Sequence, residues 1–383
     1  MSGLVAASTL ARAGRQVTLL EASDRLGGCV QSWRGAGDFW LELGAHTAYN
    51  SYGPMLEALQ AQGKLAHLLR RKKLGYRFCT ADGKTQSPFA RLNVFEAMLA
   101  LPLGLRRSKA GKSVSEWFCT ALGKQNHRKL LAPAFAAVLS QPADHFPAEW
   151  LFRRKPRLKA APRKFTYPGG LQGLLESIAQ DAPFRTVLNR RALSVKRQAE
   201  GFDIETDAGK LSARQLVVAT PVDVAAYLLA DVYPEVSNVL ARFPMSSSEA
   251  VAVVVAAGAS KLPPVAGLIG EDTGFWSVVT RDPVPHPAWR GFTFHFQPAK
   301  FTLEEKLARI SQVIGVPVVE FAQVIETVNR LPAPHVAQVA QMQEIDARLA
   351  REPVALAGNY LNGLSLGDCA ERAAQEATRL LRL

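Results

Sequence analysis

The first thirty residues constrain the fold most. Leu4, Ala7, Leu10 and Ala11 recur at helical spacing between Ser2 and Ala13, and Gly14 follows as a stop. Val17-Thr18-Leu19-Leu20 is then a β-branched and apolar run that ends at Glu21, after which Asp24, Gly27 and Gly28 mark a loop. The chain therefore opens helix, strand, acidic residue, glycine turn. A helix feeding straight into a buried strand is the unit of a layered α/β sheet. With 383 residues the chain is long for one compact core, which predicts two domains or one domain with a large insertion.

In a dinucleotide-binding βαβ unit the glycines open the helix, and an acidic residue about 20 positions on accepts hydrogen bonds from the ribose. Gly3 and Glu21 are separated by 18. Ser2-Gly3-Leu4, followed by Val17-Thr18-Leu19-Leu20-Glu21-Ala22-Ser23-Asp24-Arg25-Leu26-Gly27-Gly28, resembles the N-terminal FAD signature of flavin amine oxidases, protoporphyrinogen oxidases and phytoene desaturases. The resemblance places Ser2 and Gly3 at the cofactor, gives Glu21 the adenosine ribose, and sets Arg25 with the Gly27-Gly28 backbone near the pyrophosphate and flavin. Backbone approaches phosphate closely only where side chains are absent, and Arg supplies charge-assisted donors. Gly3 fits the third glycine of that signature, so the first strand and two further glycines are expected upstream of Met1. The chain as given is then expected to hold FAD weakly, and one extended upstream to hold it stoichiometrically.

Further along, Leu41-Glu42-Leu43-Gly44-Ala45-His46 resembles the segment that runs against the flavin ring, with Gly44, Ala45 and His46 as contacts. Tyr167-Pro168-Gly169-Gly170-Leu171 resembles the re-entry into the cofactor domain, and Val187 or Leu188 would meet the adenine. Gly358-Asn359, then Asp368-Cys369 leading into the last helix, is similar to the C-terminal flavin motif of protoporphyrinogen oxidases, with Ser365 where that family often has glycine. A helix N-terminus carries free N–H groups and partial positive charge, suited to the flavin N1 and O2 region. Gly358, Asp368 and Cys369 complete the expected cofactor contacts.

The implied fold is α/β: a doubly wound, Rossmann-like FAD-binding domain from residues 1–50, 165–225 and 340–383, carrying an inserted α+β substrate domain. Residues 51–164 read as a mostly helical insertion, and 226–339 as a sheet-containing part with Phe292, Phe294 and Phe296 on one face. Flavin supplies the redox chemistry and the protein positions the substrate. No Ser/His/Asp or paired-carboxylate constellation is evident, and no catalytic acid or base is assigned. The four cysteines, Cys29, Cys79, Cys119 and Cys369, show no ligand spacing, so no metal site is expected.

Lys plus Arg outnumber Asp plus Glu by 46 to 33, so the field attracts anions. With the C-terminal motif, this favours oxidation of an acidic, porphyrinogen-type tetrapyrrole. The alternatives are an amine oxidase or isoprenoid desaturase of the same superfamily, and a flavin-free remnant acting as a binding protein. Arg70-Arg71-Lys72-Lys73, Arg106-Arg107-Ser108-Lys109 and Arg153-Arg154-Lys155 flank the apolar Leu92 to Leu105 stretch, an arrangement that suits weak attachment to an anionic membrane. Nucleic acid is not an expected partner, for there is no finger spacing or aromatic-rich basic strand. The longest apolar run, Val251 to Ala259, is too short to cross a bilayer, and no signal peptide is evident. The expectation is a cytoplasmic protein, peripheral on the inner face of a membrane.

Overall fold

Residues 289–296 alternate between two environments. Phe292, Phe294 and Phe296 enter one core, while Thr293 and His295 face the other way. Both faces of this strand are buried, and Thr293 and His295 bring polar groups to the second one, where the candidate site residues collect.

The computed structural model describes residues 1–104 and 107–383. The elements that build the site are, in chain order, α1 (Ser2–Arg12), β1 (Thr18–Leu20), β2 (Trp40–Glu42), β3 (Tyr76–Cys79), α2 (Val94–Gly104), α3 (Gly170–Gln180), β4 (Arg185–Val187), β5 (Leu216–Val218), β6 (Met245–Ala256), β7 (Trp289–Phe296), β8 (Val354–Leu356) and α4 (Leu366–Leu380).

One layer is parallel. β1 pairs with β4, Leu20 opposite Val187, and β5 pairs with β8, Val218 opposite Leu356. Helix α1 lies across both pairs because Gly3 has no side chain. A Cβ there would sit 3.1 Å from Leu19 Cδ1 and 3.4 Å from Ala219 Cβ. Leu4, Val5 and Leu10 of α1 share a core with Leu171, Leu174 and Leu175 of α3 and with Ala370, Ala373 and Ala377 of α4. The small residues of α4 let α1 pack close.

The second layer is a seven-stranded mixed sheet in the order Gln323–Pro332, β6, β7, Phe275–Thr280, Gly267–Gly270, β3 and Thr85–Gln86. The three phenylalanines of β7 pack with Val251, Val253 and Phe275 against helix Leu303–Ile314, so the aromatic stripe is core. Ala252 and Val254, on the opposite face of β6, close over Phe39, Leu41 and Leu43. The substrate-side sheet is thereby clamped onto the strand that carries Glu42.

Residues 51–164, expected as mostly helical, also supply strands. β3 pairs in parallel with Gly267–Gly270, while Leu69–Arg70 pairs with Lys164–Thr166. Strands of two and four residues are too short for an alternation of faces to show, and the partner of β3 lies about 190 positions away. Ser365, which stands where the resembling family often has glycine, is the N-cap of α4. Its Oγ accepts from Asp368 N at 3.1 Å with φ −72°, a conformation open to any L-residue.

Candidate cofactor and substrate site

The N-terminal end of α1 lies among Glu21, Cys29 and Cys369, so the starts of α1 and α4 meet beside the Gly27-Gly28 loop. Two helix N-termini and a glycine loop form an anion-binding corner. Gly27 has φ +123° and Gly28 φ +59°, and a Cβ on Gly27 would lie 2.4 Å from Val30 O. Only glycine fits at Gly27, whereas the space beside Gly28 is open.

Glu21 directly follows β1 and is fixed from one side. Ser23 N and Ser23 Oγ both donate to its Oε1 at 3.0 Å, and its backbone N–H donates to Val187 O at 2.9 Å. Among the described residues nothing donates to Oε2, which is left to accept from a ligand hydroxyl. The same pairing brings Val187 beside Glu21. Arg25 turns back on its own loop and donates to Gly28 O at 3.0 Å and to Gln31 Oε1 at 3.3 Å. It braces the glycine turn. Gly44 meets this loop from the other side, where a Cβ would lie 2.6 Å from Cys29 O. Cys369 is buried, which pushes its thiol up to about 11. Gly358 is backed by the ring of Tyr360.

These features fit FAD: a free carboxylate oxygen for the ribose, side-chain-free backbone at two crowded turns, and helix starts for the phosphates. Replacing Glu21 with Ala removes one charged acceptor, a loss of about 1.5–3 kcal/mol, or roughly 10- to 100-fold in affinity. Titration of apo-protein with FAD, followed by flavin fluorescence, measures it. An unchanged affinity would place the ribose elsewhere.

Next to this corner is a polar cluster that the sequence reading largely missed. Arg71 Nη1 donates to His46 O at 2.9 Å, His46 Nε2 lies 3.4 Å from Tyr76 Oη, and Tyr49 pairs with Lys164 across the strands. Burial, then Arg71 and His295, push His46 down to about 3, and burial pushes His295 down to about 4. Both imidazoles are neutral at physiological pH. The hydroxyls of Tyr49 and Tyr76 are raised by burial and stay protonated.

Glu42 lies beneath the cluster. Ser32 Oγ donates to its Oε2 at 2.5 Å, and Leu171 N, at the start of α3, donates to Oε1 at 2.9 Å. Burial nevertheless pushes its carboxyl up to about 7. Arg281 stacks 3.5 Å over the Trp40 ring and donates to Trp40 O. The enclosed cavity between Trp40, Glu42, Arg71, Arg281 and Thr293 measures about 10 Å³, the size of one water. On the outer side of this cavity His46, Tyr49, Arg71 and Tyr76 converge.

The basic runs divide accordingly. Arg71 points into the cluster, and Arg153 and Lys155 bind Asp368 at 2.6 and 2.7 Å, so these three are not free surface charges. Arg106 lies outside the described residues. The signal for Arg71 was present only as one member of a charge run, whose buried member is chosen by the pairing of Leu69–Arg70 with Lys164–Thr166.

Residues 1–259 match the model of the flavin containing amine oxidoreductase family. An L-amino-acid oxidase of Pseudechis australis is 51% identical over 55 residues, which are 14% of this chain and 9% of that protein. The chain thus matches only a small part of that curated relative's length. Among solved structures, a candidate protoporphyrinogen oxidase from Exiguobacterium sp. 255-15 superposes with a TM-score of 0.78 at 19% identity, covering 100% of this chain and 97% of the other. A CLA-producing fatty acid isomerase from P. acnes does so with a TM-score of 0.78 at 16% identity, covering 99% and 96%. At such identities the likeness is one of fold. The match over two thirds of the sequence, together with the FAD corner built from both ends of the chain, places this protein in the flavin-containing amine oxidoreductase family.

Proposed function

We propose that the chain is an FAD-dependent oxidoreductase acting on an anionic, carboxylate-bearing substrate, of which a porphyrinogen-type tetrapyrrole is the leading class. The observation that carries this reading is Arg71. It is a half-buried guanidinium beside two protonated phenols, above Glu42, and among the described residues its side chain donates only to the carbonyl of His46. Such a group is suited to a carboxylate, which accepts from Arg and tyrosine hydroxyls together. Bound flavin would take a hydride from the substrate carbon. The chain's own residues bind and orient: Arg71 and the tyrosines hold the anion, and neutral His46 and His295 add no competing charge. The overall basic balance favours approach of an acidic substrate.

Oxidation of an α-amino acid is the second reading. An amino acid also presents a carboxylate, and the matched curated relative is an L-amino-acid oxidase. Anaerobically prepared protoporphyrinogen and coproporphyrinogen, supplied separately, distinguish the two when porphyrin fluorescence is followed beside a panel of amino acids that report by flavin bleaching. Porphyrin formation above the enzyme-free rate supports the first reading. Flavin bleaching by amino acids alone overturns it. In either case Arg71→Met should raise KM at least tenfold, about 1.5–3 kcal/mol, with kcat changed less. An unchanged KM would remove Arg71 from the substrate.

A further inference from the structure

We propose that the outward face of α2 docks on an anionic phospholipid surface. This follows from how the helix is turned, and it does not depend on the substrate reading. An ordinary surface helix buries its apolar stripe and shows its charges, but α2 does the reverse. Its one carboxylate, Glu96, points inward and accepts from Gln125 N at 2.9 Å and Asn126 N at 2.8 Å. Asn126 returns two bonds to the backbone of Asn93, and Gly104 presses on Ala121 so closely that a Cβ would lie 2.4 Å from its Cα. These contacts fix the rotation of the helix. With Glu96 inside, Phe95, Met98 and Leu99 face solvent, 73%, 69% and 65% exposed, and Phe89 on the preceding turn adds to the patch. Spacing of i, i+3 and i+4 makes them one stripe.

The rim of the patch is basic. Lys124, Arg128 and Lys129 stand exposed on the segment that Glu96 caps, and Arg107 and Lys112 stand exposed beyond the C-terminal end of α2. Between Ala97 and Ala143 the only acidic residue is Glu116, whose carboxylate is engaged with Ser113 N at 2.7 Å. An apolar stripe with exposed cations on the segment beside it and beyond its C-terminal end matches acyl chains beneath anionic headgroups. A second copy would bring the same cations against each other, so charge complementarity favours the bilayer. Eleven residues rise about 16 Å, half a hydrocarbon core, and no helix among the described residues is long and apolar enough to cross a membrane. The helix lies in the interface and does not span it.

The test is flotation of the full chain with vesicles of phosphatidylcholine alone or mixed equally with phosphatidylglycerol, in about 50 mM and about 500 mM KCl. Two variants accompany the wild type: Phe95→Gln with Leu99→Gln, which keeps all charges, and Lys124→Gln with Arg128→Gln and Lys129→Gln, which keeps the apolar stripe. These positions are exposed, and thermal unfolding checks that each variant is folded. The wild type should float with the anionic vesicles and be largely released by high salt. Each variant should partition at least tenfold less. Equal binding to neutral and anionic vesicles would overturn the proposal, as would binding indifferent to Phe95 and Leu99. Absence of vesicle binding with a dimer that the Phe95→Gln, Leu99→Gln variant dissociates would also overturn it and assign the face to a second copy.

Discussion

Between pH 4.5 and 7 the wild-type protein should lose about 3 kcal/mol of stability relative to its Glu42→Gln variant. Burial raises the folded carboxyl from 4.5 to about 7, so in this window the folded state holds a proton that the unfolded chain has released. Stability from the neutral carboxyl is fully present below about 4.5 and is lost as pH rises through about 7. At about 1.4 kcal/mol per unit, the raised value corresponds to roughly 3 kcal/mol. His46 and His295 act with the opposite sign. Both are held below 6.5 in the fold, so the unfolded chain binds their protons first and stability rises with pH through the same range. The informative quantity is therefore the difference between wild type and Glu42→Gln, measured by urea unfolding at several pH values. A difference that does not change with pH would show Glu42 titrating as an ordinary carboxylate.

Glu42→Ala separates charge from architecture. Leu171 N–H at the start of α3 and the hydroxyl of Ser32 lose their acceptor, and each buried orphan costs about 1–3 kcal/mol. The Ala variant should lie about 2–6 kcal/mol below the Gln variant at every pH. Similar stabilities would mean that these groups find other partners.

How much of this was legible in the sequence depends on how far apart the cooperating residues lie. The helix, strand and glycine turn of residues 2–28 were readable because their signals are local: a helical period, a β-branched run and two glycines with positive φ. Glu42 was visible as part of Leu41 to His46, but its task was not, since Ser32 is ten residues away and Leu171 is 129. The alternation of β7 showed two faces without saying that both are buried. Helix Leu303–Ile314 covers the phenylalanines, and the strand that carries Glu42 covers Thr293 and His295.

Charge runs were the least legible feature, because periodicity carries no information about which cation folds inward. Arg71, Arg153 and Lys155 read as surface charges beside Arg70, Lys73 and Arg154. Strand pairing draws Arg71 to His46, and Asp368 draws the other two to the start of α4. Conversely, α2 could be read as an apolar segment beside basic residues, but its rotation could not. That depends on Glu96 reaching the backbone of Gln125 and Asn126.

Asp368→Asn should cost about 1–3 kcal/mol at pH 7. The carboxylate is buried, and burial alone would raise it, but Lys155, Ser365 and Arg153 hold it below the usual carboxylate range. Arg153 Nη2 and Lys155 Nζ approach its Oδ1 at 2.6 and 2.7 Å, and Ser365 Oγ donates to Oδ2 at 2.5 Å. Neutralising it leaves Lys155 with Glu371 at 2.7 Å, and Arg153 with Asn362 O at 2.9 Å and Glu371 at 3.8 Å. Losing the charged acceptor of this network costs about 1–3 kcal/mol, because Lys155, mostly buried, keeps one carboxylate where it had two. For a depressed carboxyl the stabilisation is present above the unfolded value of about 3.9 and disappears as pH falls through the folded one, so wild type and Asp368→Asn should converge in strong acid. Lys155→Met should cost less, since Arg153 still serves Asp368. Added to Asp368→Asn it should recover part of the loss, because it removes a mostly buried cation that has lost one of its two carboxylates. The four proteins form a double-mutant cycle readable by thermal unfolding. Additive losses would mean that Lys155 and Asp368 do not act on each other. Coupling would show that residues 153–155, from the insertion, are latched by charge to the helix whose first turn enters the FAD corner. The insertion and the cofactor domain would then be held in register at the site they share.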